Sequence, residues 1–141
     1  MGTENSVQKH PMATKMIFIV EDDEDVGALL VQAIKQETSY QAELASDGFQ
    51  ALKMLRTVKP DLLILDYGLP DMNGLELLVQ LRAFAPTLPI VVMSGSGRED
   101  EIMKHALLLG ANAALPKPFR LREMVDAILH ALGPDQGSQS A

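Results

Sequence analysis

The stretch LLILDYGLPDMNGLELL, residues 62–78, contains the features that decide the fold. Its first four residues are apolar and run into an acid, Asp66, which predicts a short buried strand with a charge at its carboxyl end. Pro70 falls in the turn that follows, and Leu75 and Leu78 then recur at helical spacing. A strand, a short loop and a helix in this order form one β–α unit.

The same alternation extends along the chain in both directions from this stretch. Short apolar or weakly alternating segments predict strands, and residues at helical spacing predict the helices between them. The predicted strands are 16–20, 40–45, 62–65, 90–93 and 113–115, and the predicted helices are 25–37, 48–57, 74–84, 98–109 and 120–132. Apolar runs indicate burial on both faces of a parallel sheet. Five β–α units with short connections therefore predict a doubly wound α/β fold.

The chain has 141 residues, of which 47% are hydrophobic, as expected for one globular domain. We expect this domain to span residues 15–132. The polar, aperiodic residues 1–14 predict a flexible N-terminal extension. Residues 133–141, which open with Gly-Pro and are rich in Gly, Ser and Gln, predict a flexible C-terminal tail or the start of a linker.

Composition excludes several classes of protein. The chain has no Cys, so disulfides, thiolate nucleophiles and Cys-based zinc sites are excluded. No apolar run approaches the ~20 residues that span a bilayer, and residues 1–15 contain no apolar signal core. We therefore expect no membrane association and a cytoplasmic location. The net charge of −7 argues against nucleic-acid binding by this chain alone.

Polar side chains follow four of the predicted strands. In open parallel sheets the ligand site lies at the carboxyl ends of the strands, so these side chains are expected to converge. They are Glu21 and Asp22 after the first strand, Asp66 after the third, Ser94 after the fourth and Lys117 after the fifth, and the small residue Gly95 follows Ser94. Carboxylates without His or Cys suit a hard cation such as Mg²⁺, with Mn²⁺ as an alternative.

The isolated acid Asp66 is the candidate reactive group of this cluster. A carboxylate beside Mg²⁺ and a Lys can act as a nucleophile toward phosphorus and form an aspartyl-phosphate. Phosphoryl transfer depends mainly on charge neutralisation and in-line positioning, which these groups can provide. The acidic run 21–25 also contains residues with a simpler role, because Asp23 is placed to cap a helix.

The sequence resembles the receiver domains of bacterial two-component response regulators. The resemblance covers residues 16–132 and rests on IFIVEDDEDV (17–26), LLILDYGLPDMNGLELL (62–78), PIVVMSGSG (89–97) and LPKPF (115–119), in order and at matching spacings. It implies a flavodoxin-like (βα)5 fold with strand order 2-1-3-4-5. It also implies a signalling domain that catalyses only its own phosphorylation and dephosphorylation.

The resemblance implies a role for each residue at the strand ends. Asp66 would be the phospho-acceptor, and Ser94, Gly95 and Lys117 would form the switch and phosphate-contacting group. The metal ligands would be Glu21, Asp22, Asp66 and the backbone carbonyl of Gly68. The Lys117–Pro118 bond is expected to be cis.

Four positions stand out against the usual receiver pattern. Receivers usually carry an aromatic residue on the fifth strand, three positions before the Lys, and this chain has Ala114 there. Gly68 and Ser96 occupy the positions that tune dephosphorylation, and neither orients water well, so we expect slow self-dephosphorylation. Pro116 fits an edge strand, which is where the family's strand order places the fifth strand.

The partners that the resemblance implies are a sensor histidine kinase or a histidine phosphotransfer protein. The output would use the face formed by the fourth helix, the fifth strand and the fifth helix, and a homodimer through the last helices is left open. Two alternatives remain. An Asp-nucleophile Mg²⁺ phosphatase would want an acid two residues after Asp66, where Gly68 stands. A degenerate receiver that serves only as a binding module would share the fold without the chemistry.

Overall fold

The computed structural model describes residues 14–95 and 99–133 as five strands that alternate with five helices. The strands are β1 (Met16–Val20), β2 (Gln41–Ala45), β3 (Leu62–Asp66), β4 (Ile90–Ser94) and β5 (Ala113–Pro116). The helices are α1 (Glu24–Glu37), α2 (Gly48–Leu55), α3 (Gly74–Phe84), α4 (Glu99–Leu108) and α5 (Leu121–Leu132).

All four strand pairings are parallel, and the sheet has the order β2-β1-β3-β4-β5. The predicted flavodoxin-like doubly wound fold is therefore confirmed. Strand β3 is central, and all five of its residues are buried. Strand β5 lies at an edge, which accommodates Pro116 because one side of an edge strand needs no ladder hydrogen bonds.

The core consists of two layers, one on each face of the sheet. Alternate residues of a strand point to opposite faces, so Ile17 and Phe18 belong to different layers. One layer packs β1, β3 and β4 against α1 and α5, with Leu30, Ile34 and Ile128 fully covered. The other packs the same strands against α2, α3 and α4. This two-sided burial explains why the strands read as apolar runs.

Short polar side chains fix the start of the first three helices. Asp23 accepts hydrogen bonds from Asp25 N (3.0 Å) and Val26 N (3.2 Å) and caps α1, so the predicted capping role is confirmed. Asp47 caps α2 and Asn73 caps α3 in the same manner. These caps satisfy amides that no helical carbonyl can reach, and they set where each helix leaves the carboxyl edge of the sheet.

The bounds of β1 and α3 are as predicted, and those of the other elements differ from the prediction by one or two residues at an end. Strand β2 starts at Gln41 because Tyr40 N donates to Thr38 Oγ1 (3.0 Å) rather than to the sheet. Helix α2 ends at Leu55 because Thr57 N reaches back to Met54 O in a tighter turn. The predictions of a flexible extension over 1–14 and a tail over 133–141 fall almost wholly outside the described residues.

Candidate functional site

The site lies at the carboxyl ends of four neighbouring strands. Glu21 follows β1, Asp66 ends β3, Ser94 ends β4, and Lys117 follows β5. The register keeps these ends level, since Asp66 pairs with Met93 and Ser94 pairs with Pro116. The topology therefore brings together side chains that are far apart in sequence.

An acidic cluster occupies this edge. Glu21, Asp22 and Asp66 each offer one carboxylate oxygen, and the three oxygens lie within 4.8 Å of one another. Glu21 is 1% exposed and Asp66 is 5% exposed, whereas Asp22 faces solvent. Oxygen-only ligands at this spacing suit a hard divalent cation. The cluster could hold a metal ion with one ligand open to water.

Lys117 is the cation that faces the two buried carboxylates. Its Nζ lies 2.9 Å from Glu21 Oε1 and 3.4 Å from Asp66 Oδ2. Burial alone would lower the pKa of Lys117, but the hydrogen bond to Glu21 and the charge of Asp66 outweigh burial and raise that pKa above its usual value. Lys117 is therefore firmly charged and neutralises part of the cluster.

The charged form of Glu21 is disfavoured at this site. Burial raises the pKa of Glu21, and the nearby charge of Asp66 adds to this effect. Hydrogen bonds from Lys117 and from Asp23 N (3.1 Å to Oε2) act in the opposite direction without cancelling the rise. An additional positive charge would counter this rise, which is a second reason why the cluster fits a bound cation.

Ser94 supplies a polar group that lacks a partner. Its side chain is 3% exposed, and its Oγ makes no hydrogen bond. A buried hydroxyl without a partner costs free energy, so its presence beside the cluster fits a site that receives an oxygen-rich group. The two glycines nearby differ in their surroundings. A Cβ at Gly95 would lie 3.2 Å from Lys117 Cβ, whereas a Cβ at Gly68 would meet nothing within 4 Å.

The loops next to the cluster hold its members in place. Gly68 N donates to Asp66 Oδ1 (3.2 Å), so the two oxygens of Asp66 have different partners. Lys117 N donates to Ser94 O (2.6 Å), and the Lys117–Pro118 bond is cis. The hydrogen bond to Ser94 O fixes the backbone of Lys117 beside the end of β4.

Two predicted positions lie away from the cluster or outside the described chain. Ala114 is half-buried on β5, where it pairs with Val92 and packs against the layer that includes α4. Ser96 lies outside the described residues. One residue with a clear structural role was not singled out from the sequence: Asp71, whose carboxylate accepts two backbone hydrogen bonds from the start of α2. Its position directly after Pro70 in a turn was the only local signal.

A five-stranded doubly wound sheet with an acidic cluster and a Lys at its carboxyl edge defines a flavodoxin-like domain of the receiver class. The family model of the response regulator receiver domain matches residues 17–129. The chain therefore belongs to the response regulator receiver domain family, a family of signalling domains in two-component systems.

Named relatives agree with this assignment. Response regulator MprA of Mycobacterium leprae (strain TN) is 37% identical over 127 residues, covering 88% of this chain and 55% of the relative. Response regulator MprA of Mycobacterium sp. (strain KMS) is 36% identical, with 88% and 54% covered. The chain thus spans about half the length of the curated relatives it matches.

Solved structures show the same fold. The non-phosphorylated HemR receiver domain from Leptospira biflexa has a TM-score of 0.77 at 30% identity, covering 86% of this chain and 97% of that one. A CheY-like receiver domain protein from Methanospirillum hungatei JF-1 has a TM-score of 0.78 at 27% identity, with 92% and 100% covered.

Among the described residues, no helix is both long and apolar enough to cross a membrane.

Proposed function

We propose that Asp66 accepts a phosphoryl group from a phosphohistidine of a sensor histidine kinase or a histidine phosphotransfer protein, in a reaction that requires Mg²⁺ or Mn²⁺. The observation that carries this proposal is the placement of Asp66. Its buried carboxylate ends the central strand β3, shares a cluster with the acids Glu21 and Asp22, and lies 3.4 Å from Lys117 Nζ. Ser94, whose hydroxyl lacks a partner, ends the neighbouring strand β4.

In the proposed transfer, an oxygen of the Asp66 carboxylate attacks phosphorus while the phosphorus–nitrogen bond of the phosphohistidine breaks. The imidazole leaves with the electron pair of that bond, so the phosphoryl group passes from nitrogen to oxygen without another reactant. Gly68 N restrains one carboxylate oxygen through its 3.2 Å hydrogen bond. Lys117 Nζ, 3.4 Å from the other oxygen, is placed to stabilise negative charge on the transferred group.

The metal ligands of the proposal are the carboxylates of Glu21, Asp22 and Asp66 and the carbonyl of Gly68. When bound, Mg²⁺ would supply positive charge that offsets the repulsion between the acids and the incoming phosphoryl group. The chain's own contribution is to hold these oxygens together before the ion arrives. The raised pKa of Glu21 shows that this arrangement has an electrostatic cost in the free protein.

The proposed output begins at Ser94. Its unpartnered Oγ can donate to a phosphoryl oxygen, and the strand that Ser94 ends, β4, pairs with β5 of the α4–β5–α5 face. Because Ala114 replaces the usual aromatic side chain, we expect this face to respond through backbone shifts, or hardly at all, rather than through an aromatic rotamer. Slow loss of the phosphoryl group is part of the same proposal, because Gly68 and Ser96 do not orient water well.

The test is mass spectrometry of the intact chain after incubation with a small phosphodonor and Mg²⁺. We expect the wild type to gain one phosphoryl group and Asp66→Asn to gain none. Asp25→Asn is the matched control, because Asp25 is an exposed acid in the first turn of α1. Equal labelling of Asp66→Asn and the wild type would contradict the assignment, as would labelling that persists with all divalent cations chelated.

A further inference from the structure

The carboxylate of Asp71 joins two parts of the chain that are distant in sequence. Its Oδ1 accepts a hydrogen bond from Gly48 N and its Oδ2 accepts one from Phe49 N, both at 2.9 Å. These are the first two residues of α2, whereas Asp71 belongs to the loop between β3 and α3. The loop is therefore tied to the neighbouring helix by both oxygens of one side chain.

The loop that Asp71 ties to α2 begins directly after the reactive acid, Asp66. Residues 67–73 connect Asp66 to α3, and Gly74 N donates to Tyr67 O (3.0 Å), which closes the loop at its base. Leu69 is 8% exposed and holds the middle of the loop in the core. Asp71 supplies a third attachment, on the side that faces α2.

Helix α2 is built to receive this attachment. Its own cap, Asp47, accepts only from Gln50 N (2.7 Å), so the amides of Gly48 and Phe49 remain for Asp71. A Cβ at Gly48 would lie only 2.6 Å from Met72 Cγ. Loop and helix are therefore in direct contact next to the Asp71 hydrogen bonds, with no room for a side chain between them.

The attachment affects the direction of the backbone carbonyl of Gly68. A backbone carbonyl has no rotamer of its own, so its direction is set by the path of the loop. Gly68 also lacks a side chain that could fix the loop by packing, and the space around it is open. The hydrogen bond from Gly68 N to Asp66 Oδ1 restrains the amide side of Gly68, so the direction of its carbonyl depends on attachments further along residues 67–73.

We propose that Asp71 is a positioning residue for the metal site: by tying the loop to α2, it holds the Gly68 carbonyl in the direction that metal binding requires. This inference rests on the proposed function, in which that carbonyl is a ligand. Asp71 does not touch the cation or the phosphoryl group. It acts through the loop, as groups beyond the direct ligands commonly do in metal sites.

The test compares Mg²⁺ affinity, measured by calorimetry or by amide chemical shifts of the full chain, among four proteins. Asp71→Ala should weaken Mg²⁺ binding by about 10-fold, and Asp71→Asn, which keeps one acceptor oxygen, should lie between Asp71→Ala and the wild type. Asp47→Ala is the matched control: it removes a cap from the same helix and lowers stability, but it should leave Mg²⁺ affinity unchanged. Saturating Mg²⁺ should restore the phosphorylation rate of Asp71→Ala.

The outcomes separate this inference from the function on which it rests. If the wild type binds Mg²⁺ and Asp71→Ala binds it equally well, the positioning role is overturned while the metal site stands. Equal weakening by Asp47→Ala would also overturn it, because the effect would then come from helix stability. If the wild type binds no Mg²⁺, both the proposed function and the inference fail. Should Asp71→Ala not fold, the graded effect expected of Asp71→Asn decides the question.

Discussion

Carboxylates are used in opposite ways in two neighbouring regions of this domain. In the acidic cluster, Glu21 is buried beside Asp66, and its pKa is raised by burial and by that neighbouring charge. We define the loop anchor as Asp71 together with the first two backbone amides of α2. In the loop anchor, the pKa of Asp71 is lowered. Burial acts to raise the pKa of Asp71, but backbone hydrogen bonds, led by those from Gly48 and Phe49, together outweigh burial. The charged form is disfavoured at Glu21 in the acidic cluster and favoured at Asp71 in the loop anchor.

The difference shows how the domain divides stability from chemistry. A group of like charges that awaits a cation is unfavourable in the free protein, because it is held out of water without full compensation. The loop anchor adds favourable charge-assisted hydrogen bonds a few residues away. A strained site can be held in a defined geometry only if its surroundings are rigid, and Asp71 contributes to that rigidity.

The prediction with the largest expected effect removes the ammonium group of Lys117 from the acidic cluster. Lys117→Ala should slow phosphorylation of Asp66 by a small phosphodonor about 100-fold, since it removes a donor aimed at developing charge. The measurement is the initial rate of labelling at saturating Mg²⁺. Lys104→Ala, an exposed Lys on α4, is the control and should react like the wild type.

A wild-type rate for Lys117→Ala would show that Lys117 only balances the acids and takes no part in transfer. The acidic cluster would then be a metal site in which Lys117 does not assist phosphoryl transfer. The contrast between chemistry at the cluster and stability at the loop anchor would not hold for Lys117. A normal Mg²⁺ affinity together with a slow rate would instead assign Lys117 to the transfer step.

The second test uses the opposite pKa shifts directly. The pKa of Glu21 is raised above its ordinary 4.5, so the stability linked to Glu21 is present below that value and is lost as pH rises through the raised pKa. The pKa of Asp71 is lowered below its ordinary 3.8, so its stabilising effect is present above that value and is lost as pH falls through the lowered pKa.

Because the charged form of Glu21 is disfavoured in the folded protein, Glu21→Gln should increase the free energy of unfolding at neutral pH in the absence of metal, with the gain shrinking in acid. Asp71→Asn should decrease it by about 1 kcal/mol or less, with the loss also shrinking in acid. Urea unfolding of each variant in a chelator, at neutral and acidic pH, measures both. Glu24→Gln, an exposed acid of α1, is the control for removal of charge alone.

If Glu21→Gln were destabilising at neutral pH, its ion pair with Lys117 would outweigh the burial of Glu21. The contrast between the two regions would then be wrong in sign at the cluster. Addition of Mg²⁺ sharpens the result, because the ion should stabilise the wild type more than Glu21→Gln.

The sequence was sufficient for the cluster and insufficient for the anchor, for a physical reason. Glu21, Asp66 and Lys117 follow apolar runs, and parallel pairing makes the ends of such runs meet, so periodicity alone brings these residues together. Asp71 pairs with amides that lie 22 and 23 residues away. Nothing in local periodicity identifies which backbone amides a turn carboxylate will reach. The roles of Ala114 and Ser96 in output and dephosphorylation stay predictions.

The smallest expected effect concerns Gly68, which lies between the two regions. Because a Cβ there meets nothing within 4 Å and its φ is not positive, a side chain can be added without strain. Gly68→Asn should therefore keep Mg²⁺ affinity and shorten the lifetime of the aspartyl-phosphate several-fold, since its amide can orient a water molecule. Gly68→Ala adds the same Cβ without a hydrogen-bonding group and should decay like the wild type. The measurement is the decay of the phosphorylated chain in Mg²⁺ buffer. A wild-type half-life of only seconds, or equal acceleration by both substitutions, would show that Gly68 does not limit hydrolysis through its missing side chain.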